Sequence, residues 1–187
     1  HEPTNGEVYI RGRKVERFSP KTAISMGVGM VHQHFMLVPS FTVAQNIVMS
    51  REPRRLGVLF DNKAAEAAAQ KLVEEYGLVV DPAAVVREIG VGLQQRVEIL
   101  KTLYRGADIL ILDEPTAVLT PQETDELFAV IRRVVRELGM TVIIITHKLY
   151  EVMAISDRVG VMRKGRLIGV ENTCDVDEKK LASMMVG

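Results

Sequence analysis

The chain has 187 residues, 47% of them hydrophobic and 26% charged, a mixture typical of a globular protein that buries a substantial core. Lysine plus arginine and aspartate plus glutamate each number 24, so the formal net charge is zero, which argues against a broad electrostatic surface for nucleic acid or anionic lipid. The single cysteine, Cys174, excludes an internal disulfide, and no apolar run approaches the roughly 20 residues needed to cross a bilayer.

The first part of the chain is predicted to alternate short strands and helices. Residues 7–10 and 28–31 have the apolar, β-branched character of strands. Ser19 followed by Pro20 is typical of a helix N-terminus, and Thr42 is placed to cap a second helix.

Residues 50–92 have a different, helical character. Asp61 begins an alanine-rich segment that is predicted to be one helix and to end at Gly77. Because strands flank this segment on both sides, we interpret it as a helical insertion. The predicted organisation is a partial N-terminal strand region of the core at 1–33, a helical subdomain at 34–92 and the rest of the core at 93–187.

The remaining sequence alternates helix and strand. A helix at 93–104 precedes a strand at 108–112, and the next helix begins at a capping box formed by Thr120 and Glu123, with Pro121 at its first position. Gly139 is predicted to end it. Its apolar residues recur at helical spacing and predict one face packed on a sheet; they are Leu127, Ile131, Val134 and Leu138.

Two segments, ILIL at 109–112 and VIII at 142–145, are continuous apolar runs. Runs of this kind are typical of parallel strands covered on both faces, so both are predicted to be buried on two sides. Strands at 158–162 and 166–170 are predicted to form a hairpin through Lys164 and Gly165. The predicted fold class is α/β, with a mostly parallel core sheet and a helical insertion.

Two carboxylates, Asp113 and Glu114, directly follow the first of these apolar strands. Ligands of parallel sheets bind at the carboxyl edge, and Mg²⁺ prefers hard oxygen ligands while retaining bound waters. We therefore predict that Asp113 contacts Mg²⁺ through a water and that Glu114 is the base for an attacking water, which fits phosphoanhydride hydrolysis. The alternative is an ordinary polar loop; Pro115 and the capped helix behind it favour the site.

Polar residues follow two other predicted strands. His147 comes after the second apolar strand and is a candidate sensor of a terminal phosphate, and Gln33 follows residues 28–31 with an amide that could reach a metal or a water. The alternatives are a solvated loop histidine and a surface glutamine. His32 and His34 would share one face of a strand, but two ligands without a third make a weak metal site.

The segment Gly90-Val91-Gly92 precedes a predicted helix. Small residues at a helix N-terminus expose backbone N–H groups to an anion, and the helix dipole adds to the attraction. Gln94 in the first turn adds a polar donor. We predict a phosphate contact here, with an ordinary loop as the alternative.

Taken in order, these four elements resemble the nucleotide-binding subunit of ABC (ATP-binding cassette) transporters, which has a P-loop NTPase-like fold. Gln33 matches the Q-loop, IGVGLQQR at 89–96 the signature motif, ILILDE at 109–114 the Walker B segment, and His147 the switch histidine. The resemblance covers essentially the whole chain. It implies ATP and Mg²⁺ as cofactors, with Gln33 also near the metal, and signature residues that face the ATP of a partner cassette: Gly90, Val91, Gly92 and Gln94.

The resemblance also implies partners and a location. Two cassettes would form a head-to-tail dimer around two ATP molecules, and the helical insertion would couple them to membrane permease subunits, with a solute-binding protein involved indirectly. The subunit would be peripheral, on the cytoplasmic face of the cell membrane. The segment HFMLVPSFTVAQN at 34–46 would face the permease, with Phe35 and Phe41 either as anchors or as core residues.

The resemblance is strongest to the N-terminal cassette of simple-sugar and nucleoside importers that carry two cassettes in one polypeptide, and the nucleoside branch is nearer. It rests on the run VGLQQRVEILKTLYRGADILILDEPTAVLTPQE at 91–123. The chain departs from the family where Gly90, Val91 and Leu93 replace Ser, Gly and Gln of the signature. Losing the serine removes a donor to phosphate, and a hydrogen bond to a charged group is worth about 1.5–3 kcal/mol. Thr120 replaces the usual aspartate of the D-loop.

The chain contains no G-x-x-x-x-G-K-[ST] phosphate loop and no Gly-Lys pair. In the family that loop precedes the region resembling PTNGEVYIRG at 3–12. We therefore expect a chain truncated before that loop, whose intact parent is an ABC-type ATPase and which alone binds ATP weakly and hydrolyses hardly any. One alternative is a non-catalytic ABC-like interaction module, against which the intact acids and His147 argue. Another is a non-transport ABC ATPase of DNA maintenance, for which heptads and positive charge are missing.

Overall fold

A computed structural model describes residues 3–55 and 59–187. The chain folds into two compact units, His1–Ile144 and Ile145–Gly187. The elements of the first unit are, in chain order, β1 (Tyr9–Ile10), β2 (Arg13–Lys14), α1 (Pro20–Ser25), β3 (Val28–Val31), α2 (Val43–Val48), β4 (Arg54–Arg55), β5 (Leu59–Phe60), α3 (Asn62–Tyr76), a 3₁₀ turn (Val86–Glu88), α4 (Val91–Tyr104), β6 (Ile109–Asp113), α5 (Pro121–Leu138) and β7 (Thr141–Ile145), which ends at the first residue of the second unit.

The core of the first unit contains a sheet with the strand order β3-β6-β7. β3 and β6 are parallel, with Val28 opposite Ile109 and Val31 opposite Leu112. Their carboxyl ends therefore meet at one edge of the sheet. The predicted strands at 28–31 and 108–112 are confirmed, the second one residue further along the chain. Two short antiparallel pairs, β1-β2 and β4-β5, lie outside this sheet.

Burial differs among the strands of this sheet, and no residue of β7 is buried. Leu110 and Leu112 of β6 are 2% and 0% exposed, whereas Ile143 and Ile145 of β7 are each 47% exposed. The prediction that both apolar strands are buried on two sides is therefore wrong for β7. A strand is covered on both faces only where other elements pack on both, and its own hydropathy does not show whether they do.

Helix boundaries follow side-chain caps that the sequence carries. The Thr42 hydroxyl accepts from the Gln45 N–H at the start of α2, and the Asp61 carboxylate accepts from the Ala64 N–H at the start of α3. Gly77 ends α3 with a φ of 68°, a left-handed conformation that glycine adopts without a Cβ penalty.

The capping box of α5 is also present. Thr120 and Glu123 cap each other reciprocally, and Gly139 ends the helix with a φ of 65°. The predicted packing face is confirmed for Leu127, Ile131 and Val134, which are buried, and is wrong for Leu138, which is 42% exposed. Leu138 is the last residue of α5.

The helix predicted at 93–104 begins two residues earlier, at Val91. Gly90 is its N-cap, and the Gly90 carbonyl accepts from the Gln94 N–H at 3.0 Å. The sequence analysis placed Val91 and Gly92 before the helix, whereas both belong to its first turn. The predicted boundaries at residues 33 and 92 stay a prediction.

The second unit consists of α6 (Leu149–Ile155), β8 (Arg158–Arg163), β9 (Arg166–Asn172), a 3₁₀ turn (Thr173–Asp175) and α7 (Glu178–Val186). β8 and β9 form the predicted antiparallel hairpin, with Arg163 opposite Arg166. Lys164 and Gly165 between them have φ values of 50° and 74°. Two successive positive φ values are what a two-residue turn of this type requires.

Candidate functional site

Asp113 and Glu114 lie at the carboxyl edge of the sheet. Asp113 is the last residue of β6 and is half-buried. Glu114 has a φ of 47°, in the left-handed region that residues other than glycine rarely adopt. Such a conformation costs on the order of 1–3 kcal/mol and persists only where the surroundings impose it. The chain therefore turns at Glu114 rather than continuing the strand, and the sequence analysis did not predict the left-handed conformation of this residue.

Backbone hydrogen bonds close the turn. The Ala117 N–H donates to the Glu114 carbonyl at 3.1 Å, and the Leu119 N–H donates to the Thr116 carbonyl at 3.3 Å. Thr116 is 1% exposed. The loop behind the acids is thus an ordered turn, as Pro115 led us to expect.

Gln33 emerges at the same edge of the sheet. It lies two residues beyond Val31, the end of β3, and Val31 is opposite Leu112 in β6. Its side chain is exposed. The structure therefore brings the Gln33 segment and Asp113 to one edge, which the parallel strands predicted.

Buried polar side chains hold the backbone beyond Gln33, and sequence reasoning missed all of them. The Met36 N–H donates to Oε1 of Glu98, and the Met36 carbonyl accepts from Nζ of Lys101 at 2.8 Å. Asn46 bonds both backbone groups of Val38. The available signal was the pair of opposite charges inside VEILKTL, an otherwise largely apolar stretch of α4.

The N-terminus of α4 is open at Gly90. Gly90 is exposed, and its carbonyl accepts from the N–H groups of Leu93 at 3.1 Å and Gln94 at 3.0 Å. The N–H groups of Val91 and Gly92 have no carbonyl acceptor within the helix, as is true of the first N–H groups of any helix. The Gln94 amide donates to the carbonyls of Ile89 at 3.0 Å and Val86 at 3.4 Å. Its predicted contact with a nucleotide would require the amide to leave these carbonyls.

Glu123 lies beside this helix start. A methyl group on Gly92 would overlap Oε1 of Glu123. Hydrogen bonds from the Thr120 N–H at 2.8 Å and the Thr120 hydroxyl at 2.9 Å, aided by the charge of Arg96 and the Gly92 N–H, hold the pKa of the Glu123 carboxyl below its usual 4.5. Glu123 is therefore ionised at neutral pH. Thr120, which departs from the family pattern, acts as the helix cap.

His147 belongs to the second unit and is exposed. Its neighbours in sequence are tied to a buried carboxylate: the Thr146 hydroxyl donates to Glu151 at 3.0 Å, and Nζ of Lys148 lies 3.2 Å from the same side chain. Glu151 is 0% exposed. This carboxylate orders the chain around His147, and sequence reasoning missed it because nothing in the pattern marks it as buried.

Metal ligands do not cluster in the described ranges. Within residues 3–55 and 59–187, no three His, Cys, Asp or Glu side chains come together as a metal site, and His32 and His34 are exposed. None of the helices in those ranges is long and apolar enough to span a membrane.

Sequence comparison identifies the family. The profile of the ABC transporter family matches residues 1–117, more than half of the chain. The chain belongs to the ABC transporter family.

Curated relatives of this ABC chain are named as import proteins. It is 50% identical over 186 residues to the "Nucleoside import ATP-binding protein NupA" of Lactococcus lactis subsp. cremoris and 52% identical over 187 residues to the "Guanosine import ATP-binding protein NupO" of Bacillus subtilis. A "Ribose import ATP-binding protein RbsA 1" of Streptomyces avermitilis is 43% identical. Each match covers 100% of this chain but only 35–36% of the relative, so the chain spans about a third of their length.

Solved structures confirm the fold of the ABC chain. cbiO1 from Clostridium perfringens, part of the ABC transporter complex cbiONQ, superposes with a TM-score of 0.78 at 25% identity, covering 97% of this chain and 72% of that one. The ATP-binding cassette MJ0796, in a dimer bound to ADP and Pi, gives a TM-score of 0.74 at 22% identity, covering 92% and 75%. The α/β cassette fold expected from the motifs is therefore confirmed.

Proposed function

We propose that this chain is part of an ATP-hydrolysing cassette that powers an importer of nucleosides or simple sugars. The observation that carries the proposal is the acid pair Asp113-Glu114 at the carboxyl edge of β6, beside the strand that leads to Gln33. Relatives at 50% and 52% identity are named for nucleoside and guanosine import, and ribose import proteins are 43–45% identical. These names support the nucleoside branch.

Each predicted residue of the edge has one role in this proposal. Asp113 and Gln33 would hold Mg²⁺, and Glu114 would take the proton of the attacking water. His147 belongs to the second unit, and its contact with the terminal phosphate stays a prediction from the sequence. When bound, the ion neutralises charge that develops on the phosphate oxygens. The turn at Glu114, where φ is 47°, supports two different roles for the successive acids because the chain changes direction between them.

The residues present fit Mg²⁺. This ion is usually bound by one or two carboxylates together with substrate phosphates rather than by an all-protein cage. Asp113 supplies one half-buried carboxylate at the open edge of the sheet. A cluster of three protein ligands is not needed for such a site, and the described residues contain none.

The start of α4 is our candidate contact for an anion from outside the chain. Its N-cap, Gly90, contributes no side-chain hydrogen bond. The Gly92 N–H faces the ionised Glu123 carboxylate, so a phosphate would have to displace Glu123 to use that donor. We assign Gly90, Val91, Gly92 and Gln94 to the ATP of a second cassette in a head-to-tail dimer. Because the family's serine is absent, the contact depends on backbone donors and the helix dipole.

The segment 34–46 would meet permease subunits on the cytoplasmic face of the cell membrane, with a solute-binding protein acting indirectly. Met36 is 67% exposed and Phe41 is 42% exposed, so both are available to a partner. Phe35 is half-buried, which supports the alternative that it is a core residue.

The direct test is Glu114→Gln in the full-length protein that contains this chain. Because the amide cannot accept the proton of the attacking water, we expect ATP to bind normally and turnover to fall by about 10²–10⁴-fold. The matched control is Glu75→Gln, the same chemical change at an exposed position of α3. Near-normal turnover in Glu114→Gln would exclude Glu114 as the base.

A second test addresses the missing phosphate loop. Mg-ATP is titrated calorimetrically into the 187-residue chain and into a longer chain that includes a G-x-x-x-x-G-K-[ST] loop. We expect only the longer chain to bind tightly. Comparable binding by the short chain would show another phosphate site, and no binding by either folded chain would favour a non-catalytic interaction module.

A further inference from the structure

Side chains of α4 hold the first part of the loop that follows Gln33, whereas backbone bonds such as that from the Arg87 N–H to the Pro39 carbonyl hold its later part. The Met36 N–H donates to Oε1 of Glu98, and the Met36 carbonyl accepts from Nζ of Lys101 at 2.8 Å. Both backbone groups of one loop residue are thus satisfied by two charged side chains of α4. We call Glu98 and Lys101 the α4 clamp.

The α4 clamp is a buried ion pair. Glu98 is 5% exposed and Lys101 is 6% exposed, and Nζ of Lys101 lies 3.2 Å from Oε2 of Glu98. Removing two charges from water costs free energy that their attraction does not reliably repay, and apolar residues of similar volume often stabilise such a position equally well. Stability alone therefore does not account for charges at this place.

A second attachment fixes the same loop two residues later. Oδ1 of Asn46 accepts from the Val38 N–H at 2.7 Å, and its amide donates to the carbonyls of Val38 at 3.1 Å and Thr42 at 3.0 Å. Asn46 is 0% exposed and lies in α2, which packs on α4. The loop backbone is thus anchored on both sides, while the Met36 side chain stays 67% exposed.

The α4 clamp lies on the same helix as the open N-terminus at Gly90. Glu98 is seven residues after Val91, the first residue of α4, so at 1.5 Å per residue about 10 Å of helix separates them. The backbone of Met36 is therefore bonded to the same continuous helix whose N-cap is Gly90.

We propose that Glu98 and Lys101 are positioning residues that tie the exposed loop at Met36 to α4, so that a partner pressing on the loop moves the anion-binding start of that helix. The inference rests on the proposed function, because it needs a partner on the loop and a nucleotide at Gly90. It adds that the direct bonds between Met36 and α4 come from these two side chains and are lost when both are replaced by apolar residues.

The experiment compares two variants of the full-length protein. Glu98→Leu with Lys101→Met removes both bonds to Met36 and leaves no buried charge unpaired. Glu98→Gln with Lys101→Gln removes both charges but keeps an acceptor for the Met36 N–H and a donor for its carbonyl. The control is Arg133→Met with Glu137→Leu, which removes an ion pair at 3.1 Å on α5, away from the loop.

The readout is the ratio of ATP turnover of the protein assembled with its permease subunits in phosphatidylcholine vesicles to turnover of the isolated protein. We expect the Leu/Met variant to keep isolated turnover within about twofold and to lose about fivefold or more of the stimulation, the lower end of typical coupling between sites. The Gln/Gln variant and the control should keep the stimulation. A merely structural role would lower isolated turnover as well.

Each contrary outcome has a distinct meaning. Wild-type stimulation in the Leu/Met variant, or its loss in both clamp variants alike, overturns the α4 clamp and leaves the proposed function intact. Absence of turnover in the wild-type protein overturns the proposed function itself. If the Leu/Met variant fails to fold, the test uses Glu98→Gln with Lys101→Met, which breaks only the bond to the Met36 carbonyl. Unreduced stimulation in this variant overturns the inference.

Discussion

The amide of Asn46 offers a sharp test of how the loop after β3 is held. Asn46 is 0% exposed and makes three hydrogen bonds to backbone groups, two with Val38 and one with Thr42, at 2.7–3.1 Å. Asn46→Ala removes all three without adding bulk. The substitution therefore measures the contribution of this amide to the free energy of unfolding.

The expected magnitude follows from the bonds. A hydrogen bond contributes about 0.5–1.5 kcal/mol net, so the loss of three should lower the free energy of unfolding by about 3 kcal/mol. For a chain of 150–250 residues each kcal/mol shifts Tm by about 2–4 °C, which predicts a Tm lower by about 6–12 °C. Asn46→Asp should be at least as harmful, because it places a carboxylate against two carbonyl oxygens in a buried site.

The assay is urea unfolding of the 187-residue chain followed by far-ultraviolet circular dichroism, with the midpoint and slope both fitted. Asn62→Ala is the matched control, since Asn62 is exposed at the start of α3 and its loss should change stability by less than about 0.5 kcal/mol. A loss below about 1 kcal/mol in Asn46→Ala would refute the reasoning and show that water replaces these bonds without cost.

Three further predictions concern the start of α4, the acid stability and the second unit. Gly92→Ala should destabilise the wild-type chain in urea unfolding, because the new methyl group meets Oε1 of Glu123. In a Glu123→Ala chain the same substitution should stabilise by about 1 kcal/mol, which is what alanine gains over glycine in a helix. Equal effects in both chains would contradict the contact. The pKa of Glu123 in the folded state lies below its usual 4.5, so its contribution to the free energy of unfolding is complete above pH 4.5 and is lost as the pH falls through the folded pKa. The wild type should therefore lose more stability than Glu123→Gln between about pH 5 and pH 3. Parallel curves of stability against pH would contradict the capping bonds. His147→Ala in the full-length protein should reduce ATP turnover about 10²-fold or more with little change in ATP binding. An unaffected rate would show that His147 is an ordinary loop residue without a role in turnover.

Local signals in the sequence predicted most of the helix and strand boundaries. The caps at Ser19, Thr42, Asp61 and Thr120 are all present, because a capping bond joins residues only two or three apart and needs no tertiary contact. The acid pair was found for a similar reason: a residue at the end of an apolar parallel strand must emerge at the carboxyl edge.

Features that depend on distant residues escaped prediction. The sequence analysis made no prediction for Glu98 and Lys101, and their bonds to Met36 join residues more than sixty positions apart in the chain. The exposed face of β7 is also invisible in its apolar sequence, since exposure depends on what packs against the strand. The hydropathy of a residue indicates which environment suits it, but not whether other elements pack against it.

The sequence by itself determined the order of the motifs, the helix caps and the family, because each depends on residues that are close along the chain. Only the tertiary structure decided that Glu114 adopts a left-handed turn, that the Glu123 carboxylate lies against Gly92, and that a buried ion pair holds the backbone of Met36. These features arise where separate segments meet. The free energy of burying a charge depends on tertiary contacts between distant segments, which a local sequence pattern does not contain.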